Sequence, residues 1–215
     1  REEKAYRRHP GSLYRVFIRL GYRRKAESTK KKSKHNGHYD TPKELGKKWQ
    51  MDVKYVPSAC YAGEDGEKFY QYTMLEEASR KRFIYAYRET GGYSTCDFVK
   101  RAIIWFGYAP DIIQTDNGGE FTHTKKTKRI HPFDSLCAEL HITHKLIRPR
   151  TPWHNGKVER SHRNDQERFY NHLSFYSYED LQIQMKRYLY RSNNIPMAVL
   201  GWKSPNQKQR EMETA

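Results

Sequence analysis

Two stretches of the sequence decide the fold class: residues 114–121 read QTDNGGEF, and residues 148–160 read RPRTPWHNGKVER. The first overlaps residues 110–115, PDIIQT, which we interpret as a buried strand that delivers Asp116 into a turn. Asn and Gly after this carboxylate make the turn sterically easy. The second stretch predicts a proline-bounded loop that leads into a polar helix carrying Glu159. One carboxylate is therefore expected at a strand end and another at a helix start.

A third carboxylate comes from residues 49–56, which read WQMDVKYV. Apolar and polar residues alternate there, which predicts a half-buried strand with Asp52 on its polar face. Neighbouring strands lie about 4.8 Å apart, so Asp52 and Asp116 can converge on one cation if their strands are adjacent. All-oxygen ligands favour Mg²⁺ or Mn²⁺ over Zn²⁺. At about 5 Å three carboxylates repel by roughly 3 kcal/mol per pair, and divalent cations relieve that repulsion.

Each carboxylate also has an ordinary explanation. Asp52 could simply be solvated, Asp116 could serve turn chemistry, and Glu159 could form a surface ion pair with Arg160 or Arg163. The three motifs taken together favour the metal site.

These motifs resemble the catalytic core of Asp-Asp-Glu transposases of bacterial insertion sequences, which are relatives of retroviral integrases. The resemblance rests on the Asp52, Asp116 and Glu159 motifs and extends to residues 192–196 (SNNIP) and 200–205 (LGWKSP). It covers about residues 49–207. The spacer between Asp116 and Glu159 is longer than in retroviral integrases and holds a basic insert near residues 122–132, which leaves the local loop structure open.

The resemblance implies an α/β, ribonuclease-H-like fold: a mixed five-stranded sheet flanked by helices, with a basic N-terminal extension. Pattern alone supports only an α/β class with a mixed sheet. The resemblance also implies two Mg²⁺ ions per active site, for which Mn²⁺ can substitute. Asp52 would bind both ions, and Asp116 and Glu159 one each. Such a pair activates a water or 3′-hydroxyl and stabilises the leaving oxygen.

The remaining elements follow from local signals. Strands are predicted at residues 69–75, 82–87 and 142–147, and helices at residues 132–140 and 155–173. Ser94 is predicted to cap a helix that ends at Gly107, and Ser177 to cap a later one. The expected order is three strands, helix, strand, helix, strand and two helices.

Four segments are expected along the chain. Residues 1–22 would be the end of a helix-turn-helix module with a helix at residues 11–20, although a generic amphipathic helix fits equally well. A basic linker, residues 23–46, would precede the catalytic core, residues 47–207. A tail, residues 208–215, would follow. Because the chain begins with Arg1, we expect a fragment of a longer protein.

The net charge of +16 favours a polyanionic partner, most simply DNA. Residues 1–40 alone hold 13 Lys or Arg against 4 Asp or Glu. The Glu159 helix has Val158 as its only apolar residue between 155 and 166, so it is expected to face DNA, with a solvated charged face as the alternative. The predicted DNA contacts are Arg15, Arg19, Lys30, Lys31, Lys32, Arg150, Lys157, Arg160, His162 and Arg163.

Several other site types are disfavoured. No apolar run approaches the roughly 20 residues of a spanning helix. The three cysteines lack a C-x-x-C pair and indicate reduced thiols. His141 and His144 would point to opposite faces of a strand, so a shared zinc ion is not expected. Two roles stay open: Glu120 orients a water or metal ligand, or belongs to the turn, and Trp153 stacks on a base or packs the loop.

The leading hypothesis is a DNA transposase that cleaves element ends and performs strand transfer. It would act as a homo-oligomer on DNA terminal repeats and target DNA, in the bacterial nucleoid, with no membrane partner and no small-molecule substrate. A ribonuclease-H-like nuclease without strand transfer is the enzymatic alternative. A non-catalytic DNA-binding remnant is the third reading, against which the intact Asp52, Asp116 and Glu159 argue.

Overall fold

The computed structural model describes residues 10–22, 41–63, 66–125, 127–148 and 152–214. The chain divides into two units, residues 1–38 and residues 39–215. In the first unit, helix α1 spans Pro10–Arg19, as predicted, and Gly21 follows it at φ 77°. Val16, Phe17 and Leu20 are exposed within this unit. The helix-turn-helix interpretation stays a prediction.

One mixed sheet of five strands organises the second unit. The strands are β1 (Trp49–Tyr55), β2 (Tyr70–Glu76), β3 (Arg82–Tyr87), β4 (Ile112–Thr115) and β5 (Thr143–Leu146). Their order is β3-β2-β1-β4-β5. The first three form an antiparallel meander, and β4 and β5 run parallel to β1. The predicted mixed five-stranded sheet is confirmed, and the strands that lead to Asp52 and Asp116 are neighbours.

Five helices follow or flank these strands. They are α2 (Gly92–Phe106), α3 (Pro132–Glu139), α4 (Gly156–Arg168), α5 (Tyr178–Asn193) and α6 (Pro205–Glu213). Helices α2 and α5 both pack on β3, and α4 packs on β1 and β2. Large buried side chains such as Trp49, Tyr72 and Phe98 fill the core. The predicted element order is confirmed through α5.

Helix α6 occupies residues that the sequence assigned to a tail. A capping box begins it: Ser204 Oγ accepts from the backbone N–H of Gln207, whose side chain accepts from the backbone N–H of Ser204. The Ser-Pro-Asn-Gln signal was present in the sequence, since a Ser with Gln three residues later and Pro at the first position is a typical helix start.

Two helix boundaries differ from the predictions. Helix α2 begins at Gly92 with Gly91 as its N-cap, and Ser94 is buried within its first turn. Helix α4 was predicted to reach residue 173 but ends at Arg168, and a short 3-10 turn, Tyr170–His172, follows. By contrast, Gly107 ends α2 in the left-handed region, at φ 83°, as predicted.

No helix in the described ranges has the length and apolar character needed to cross a membrane.

Candidate active site

The strand register brings Asp52 and Asp116 to matching positions. Strands β1 and β4 are parallel neighbours, with Gln50 paired to Gln114. Asp52 lies two residues beyond Gln50, and Asp116 lies two residues beyond Gln114. Because parallel strands advance together, both carboxylates leave the sheet at the same level, on backbones about 4.8 Å apart. The sheet itself therefore sets the first two members of the candidate site.

Two buried glutamines fix the start of α4 against these strands. Gln50 Oε1 accepts from the backbone N–H of Val158 at 3.0 Å, and Gln50 Nε2 donates to the carbonyl of His154 at 3.0 Å. Gln114 Nε2 donates to the same carbonyl at 2.7 Å. Asn155 Nδ2 adds a longer bond, 3.4 Å, to the carbonyl of Met51. The first turn of α4, and with it the third carboxylate, is thus tied directly to β1 and β4. We call Gln50 and Gln114 the glutamine clamp.

The glutamine clamp corrects the sequence prediction for β1. Alternation placed Gln50 on a polar face, whereas its side chain is fully buried. The start of β1 is covered on both faces, and Tyr55, predicted to be buried, is 70% exposed at the other end. A signal was available: both strands carry Gln-x-Asp, as QMD at residues 50–52 and QTD at residues 114–116.

Asp52 and Glu159 both respond to the negative charge of Asp116. Burial, then the charge of Asp116, and then those of Glu159 and Glu120 raise the pKa of Asp52 to about 7. Burial and the charge of Asp116 also raise the pKa of Glu159, while the neighbouring Arg163 guanidinium opposes that shift. Since ionising Asp52 beside these charges is unfavourable, the site favours a proton or a cation on Asp52.

Backbone N–H groups already donate hydrogen bonds to one oxygen of Asp52 and to one oxygen of Asp116. Asp52 Oδ1 accepts from the backbone N–H of Val53 at 2.9 Å, and Asp116 Oδ1 accepts from that of Gly118 at 2.9 Å. His162 Nδ1 lies 3.4 Å from Asp52 Oδ2, and its Nε2 lies 3.0 Å from Thr73 Oγ1. Burial lowers the pKa of His162 to about 4, so the ring is neutral beside Asp52 at physiological pH.

The donor chemistry fits a hard divalent cation. In the described part of the chain, no three His, Cys, Asp or Glu side chains converge closely enough to hold a metal ion. The charge of Asp116 nevertheless raises the pKa of both Asp52 and Glu159, which places these three carboxylates within electrostatic interaction range. An all-carboxylate set of this kind suits Mg²⁺ or Mn²⁺. Asp52, Asp116 and Glu159 remain the predicted ligands.

A chain of polar contacts, which we call the histidine relay, links Asp134, His144 and Thr115 to the backbone of Asp116. His144, on β5, lies with Nδ1 2.6 Å from Asp134 Oδ1 and Nε2 2.9 Å from Thr115 Oγ1. The Thr115 hydroxyl donates to the carbonyl of Asp116 at 2.9 Å. Phe133 packs against the imidazole, with ring centroids 4.5 Å apart. Sequence reasoning treated His144 only as a zinc candidate; its position anchors the backbone that carries Asp116.

Glu120 belongs to the turn after Asp116 and contributes charge to the site. A Cβ on Gly118 would lie 2.7 Å from Glu120 Oε2, so glycine leaves the space that this carboxylate occupies. The Glu120 carbonyl accepts from the Thr95 hydroxyl at 3.0 Å. The structure thus accounts for a turn role, and the charge of Glu120 raises the pKa of Asp52. In the insert that follows, His131 caps α3 by accepting from the backbone N–H of Phe133.

Two of the predicted DNA contacts, Lys157 and His162, have side chains that are engaged within the protein. The Lys157 ammonium forms an ion pair with the fully buried Glu77 and donates to Thr41 Oγ1 at 2.9 Å. Burial lowers the pKa of Lys157 to about 8. His162 is largely buried between Asp52 and Thr73. As DNA contacts, both residues stay predictions.

The other predicted DNA contacts fall into two groups. Arg160 and Arg163 are exposed on α4, and Arg15 and Arg19 are exposed on α1. Lys30, Lys31, Lys32 and Arg150 lie outside the described residues, as does the side chain of Trp153.

Helix α4 buries a polar face that sequence reasoning missed. Asp165 is fully buried and pairs with Arg82 at 2.6 Å. It also accepts from Gln71 Nε2 at 2.8 Å and from the Tyr188 hydroxyl at 2.9 Å. These bonds use both oxygens of Asp165, which excludes this carboxylate as a metal ligand and leaves Glu159 and Glu167 as the acidic residues of α4 with access to solvent.

Comparison with known proteins adds an independent view of this arrangement. The family model described as Integrase core domain matches residues 42–152, more than half of the 215 residues. A second model of the same description matches residues 140–205. The curated protein named "Putative integrase ORF3", of Spiroplasma virus SpV1-C74, is 30% identical over 173 residues, which cover 74% of this chain and 46% of the relative. The chain therefore spans about half the length of that relative.

Solved structures agree on the fold. A chain of the simian T-cell lymphotropic virus intasome, in complex with PP2A regulatory subunit B56 gamma, superposes with a TM-score of 0.60 at 18% identity, over 80% of this chain and 56% of that chain. The HTLV-2 integrase catalytic core domain in complex with magnesium gives 0.53 at 20% identity, over 76% and 96%. The catalytic core domain of BIV integrase gives 0.57 at 20% identity, over 79% and 97%. These likenesses confirm the predicted ribonuclease-H-like fold.

Proposed function

This chain belongs to the integrase core domain family, and from that membership we propose that it cleaves DNA at defined ends and joins the freed 3′ ends to target DNA. The enzyme would be a polynucleotidyl transferase of the Asp-Asp-Glu type, acting as a transposase or integrase. Its origin in a bacterial insertion sequence stays a prediction.

One observation carries the proposal. Asp52 and Asp116 occupy matching positions on adjacent parallel strands, and the glutamine clamp ties the start of the Glu159 helix to the same two strands. The charges of Asp116 and Glu159 raise the pKa of Asp52, which supports a shared site. A solvated aspartate or a simple turn residue would not account for all three features together.

Asp52, Asp116 and Glu159 would hold the divalent ions, Mg²⁺ or in its place Mn²⁺. When bound, such ions lower the pKa of an attacking water or 3′-hydroxyl and stabilise the leaving oxygen of an in-line phosphoryl transfer. Asp52 must first give up the proton that its raised pKa favours, because carboxylates bind metals in the ionised form. The neutral His162 ring would limit the movement of Asp52 Oδ2, and the hydrogen bond from the Thr115 hydroxyl would hold the backbone of Asp116 in place.

Arg163 is the best-placed basic residue for substrate near these carboxylates. It lies one turn after Glu159 on the same face of α4, and its charge offsets that of Glu159. An exposed guanidinium beside the ligands suits a phosphate that approaches them.

The DNA partner would include element terminal repeats and a target. The relatives' structures are described as an intasome and as dimeric and trimeric forms, which supports a homo-oligomer on DNA for this chain.

The test uses purified protein, labelled duplexes that carry the terminal sequences of the encoding element, and Mg²⁺. Joined products that need Mg²⁺ are expected from the wild type. Asp116→Asn is nearly isosteric but lacks a metal-binding charge, so it should bind DNA and form no product. Cutting without joining would favour the ribonuclease-H-like nuclease, and binding without cutting the non-catalytic remnant. Wild-type cleavage by Asp116→Asn would contradict the site assignment.

A further inference from the structure

A cleft of about 630 Å³ opens between α4 and the segment that follows α5. One wall is basic and includes Arg160 and Arg168 from α4 and Arg80 from the turn between β2 and β3. The opposite wall, residues 195–199, is mainly apolar. The lining contains no Asp or Glu. This cleft, which we call the α4 cleft, has no part in the carboxylate site described above.

Buried acidic residues neutralise only part of the positive charge that lines the α4 cleft. Arg82 and Lys157 also line it, and they are paired with the buried Asp165 and Glu77. Arg160 and Arg168 are exposed and form no ion pair with any side chain in the described ranges. Two guanidinium groups therefore face the cleft with their charge uncompensated there, which favours an anionic ligand.

The α4 cleft lies on the side of α4 opposite the carboxylate site. At 3.6 residues per turn, each residue advances roughly 100° around the helix. Relative to Glu159, Arg163 lies about 40° away, whereas Asn164 and Arg168 lie about 140° and 180° away. Arg160 is about 100° away, at the border of the exposed face. A ligand in the cleft is consequently separated from Glu159 by the thickness of the helix.

Arg80 enters the wall from a backbone conformation that arginine rarely adopts. Its φ is 62°, in the left-handed region, and its backbone N–H bonds the carbonyl of Glu76 at 2.9 Å to close the turn. Gly or Asn is the usual residue at such a position. Strained positions of this kind concentrate at functional sites, and here the strain sets a third guanidinium on the cleft wall.

We infer that the α4 cleft binds the phosphodiester backbone of a DNA segment other than the one that reaches the carboxylates. Arg160 and Arg168 are eight residues apart, roughly 12 Å along the helix axis. That distance matches the axial rise of three to four nucleotides of one strand, at 3.4 Å each. Two phosphates of one strand that are three to four nucleotides apart can thus meet the two guanidinium groups, while the apolar wall contacts sugars. The inference rests on the proposed function only in taking DNA as the ligand.

The test compares the salt dependence of duplex binding for the wild type and for the double variant Arg160→Gln/Arg168→Gln in the full chain. Each lost phosphate contact reduces the magnitude of the slope of log K against log salt by about 0.9. The double variant should therefore show a slope that is shallower by about 1.8. Arg80→Gly gives a second variant, since glycine accepts the positive φ without strain; it should lower the slope by up to about 0.9.

The matched control is Lys100→Gln/Lys186→Gln. It removes the same charge from exposed positions on α2 and α5 that do not line the cleft. This control should keep the wild-type slope. An unchanged slope in the arginine variants, or an equal fall in the control, would overturn the inference.

Failure of the proposed function would look different. Wild-type protein that binds DNA with the expected slope changes but never cleaves or joins it would leave the α4 cleft standing and remove the enzymatic proposal. Normal cleavage and joining together with unchanged slopes would do the reverse.

Discussion

At the scale of single residues, Asp52 bears the largest electrostatic cost in the site. Its carboxylate is mostly buried, with 18% of the side chain exposed, and faces the charges of Asp116, Glu159 and Glu120. The two groups nearest to it, the Val53 N–H and the neutral His162 ring, supply no positive charge. A divalent cation is the group that would relieve this repulsion most directly.

Because of this repulsion, we predict that the free energy of unfolding of the metal-free protein depends on pH. The folded-state pKa of Asp52 is raised to about 7 from its ordinary value of 3.8. A raised pKa means that the folded state binds the proton more tightly than the unfolded chain does. The resulting stabilisation is complete below about pH 4 and is lost as pH rises through 7. With a chelator present, the free energy of unfolding should fall across this window by roughly 2–4 kcal/mol more in the wild type than in Asp52→Asn. Parallel curves for the two proteins, measured by urea denaturation, would contradict the electrostatic account.

Thr115 gives a second prediction at this scale. Its hydroxyl joins the His144 ring to the carbonyl of Asp116, so Thr115→Val should cost about 1–2 kcal/mol of stability and raise the Mg²⁺ concentration needed for half-maximal cleavage. Thr115→Ser keeps the hydroxyl and should restore the Mg²⁺ dependence. If Thr115→Val requires no more Mg²⁺ than the wild type, the relay does not position Asp116.

At the scale of elements, the glutamine clamp determines where α4 begins. Gln114→Leu removes one hydrogen bond to the His154 carbonyl from a fully enclosed site, at a cost of about 1–3 kcal/mol. Because this bond also places the first turn of α4, the cleavage rate should fall even where the protein remains fully folded. Gln182→Leu is the control: Gln182 makes two hydrogen bonds on α5, to the Ala86 carbonyl and the Tyr178 hydroxyl. That variant should lose stability and keep its rate. Equal rates for both variants would mean that the clamp is merely structural.

Sequence pattern revealed the carboxylates at this scale but not the polar contacts that position them. The Glu159 motif is long and specific, and the parallel pairing of the strands that lead to Asp52 and Asp116 follows from the fold that the motifs imply. Gln50 was missed because alternation cannot distinguish a solvated polar side chain from a buried, hydrogen-bonded one. The ion pair of Lys157 and the burial of His162 were missed because composition counts charges without their partners. Each of these contacts joins residues at least 80 positions apart.

At the scale of the whole molecule, positive charge is distributed over several separate regions. The carboxylate site has Arg163, the α4 cleft has Arg160 and Arg168, and residues 1–40 hold 13 Lys or Arg. A chain built this way can contact more than one stretch of DNA. Its affinity should therefore depend strongly on salt, because each neutralised phosphate releases a counterion.

Deleting residues 1–40 tests the contribution of the N-terminal region. Each lysine or arginine on a phosphate adds about 0.9 to the magnitude of the salt slope. The truncated protein should therefore show a shallower slope on duplex DNA and retain Mg²⁺-dependent cleavage at low salt. Thermal unfolding of the remaining 175 residues serves as the folding control, since residues 39–215 form a unit of their own. A slope equal to that of the full chain would show that this region does not touch DNA.

The central claim is that Asp52, Asp116 and Glu159 form one metal-dependent site, and the choice between the two solvent-accessible acids of α4 tests it most directly. Glu167 lies eight residues beyond Glu159, roughly 12 Å along the helix, so one pair of ions with ligand distances near 2 Å cannot use both. The measurement is Mg²⁺-dependent cleavage and strand transfer by Glu159→Gln and Glu167→Gln, with DNA binding recorded for each. The account predicts that Glu159→Gln binds DNA but loses both reactions, and that Glu167→Gln keeps most of its activity. An active Glu159→Gln beside an inactive Glu167→Gln would contradict the assignment of the site.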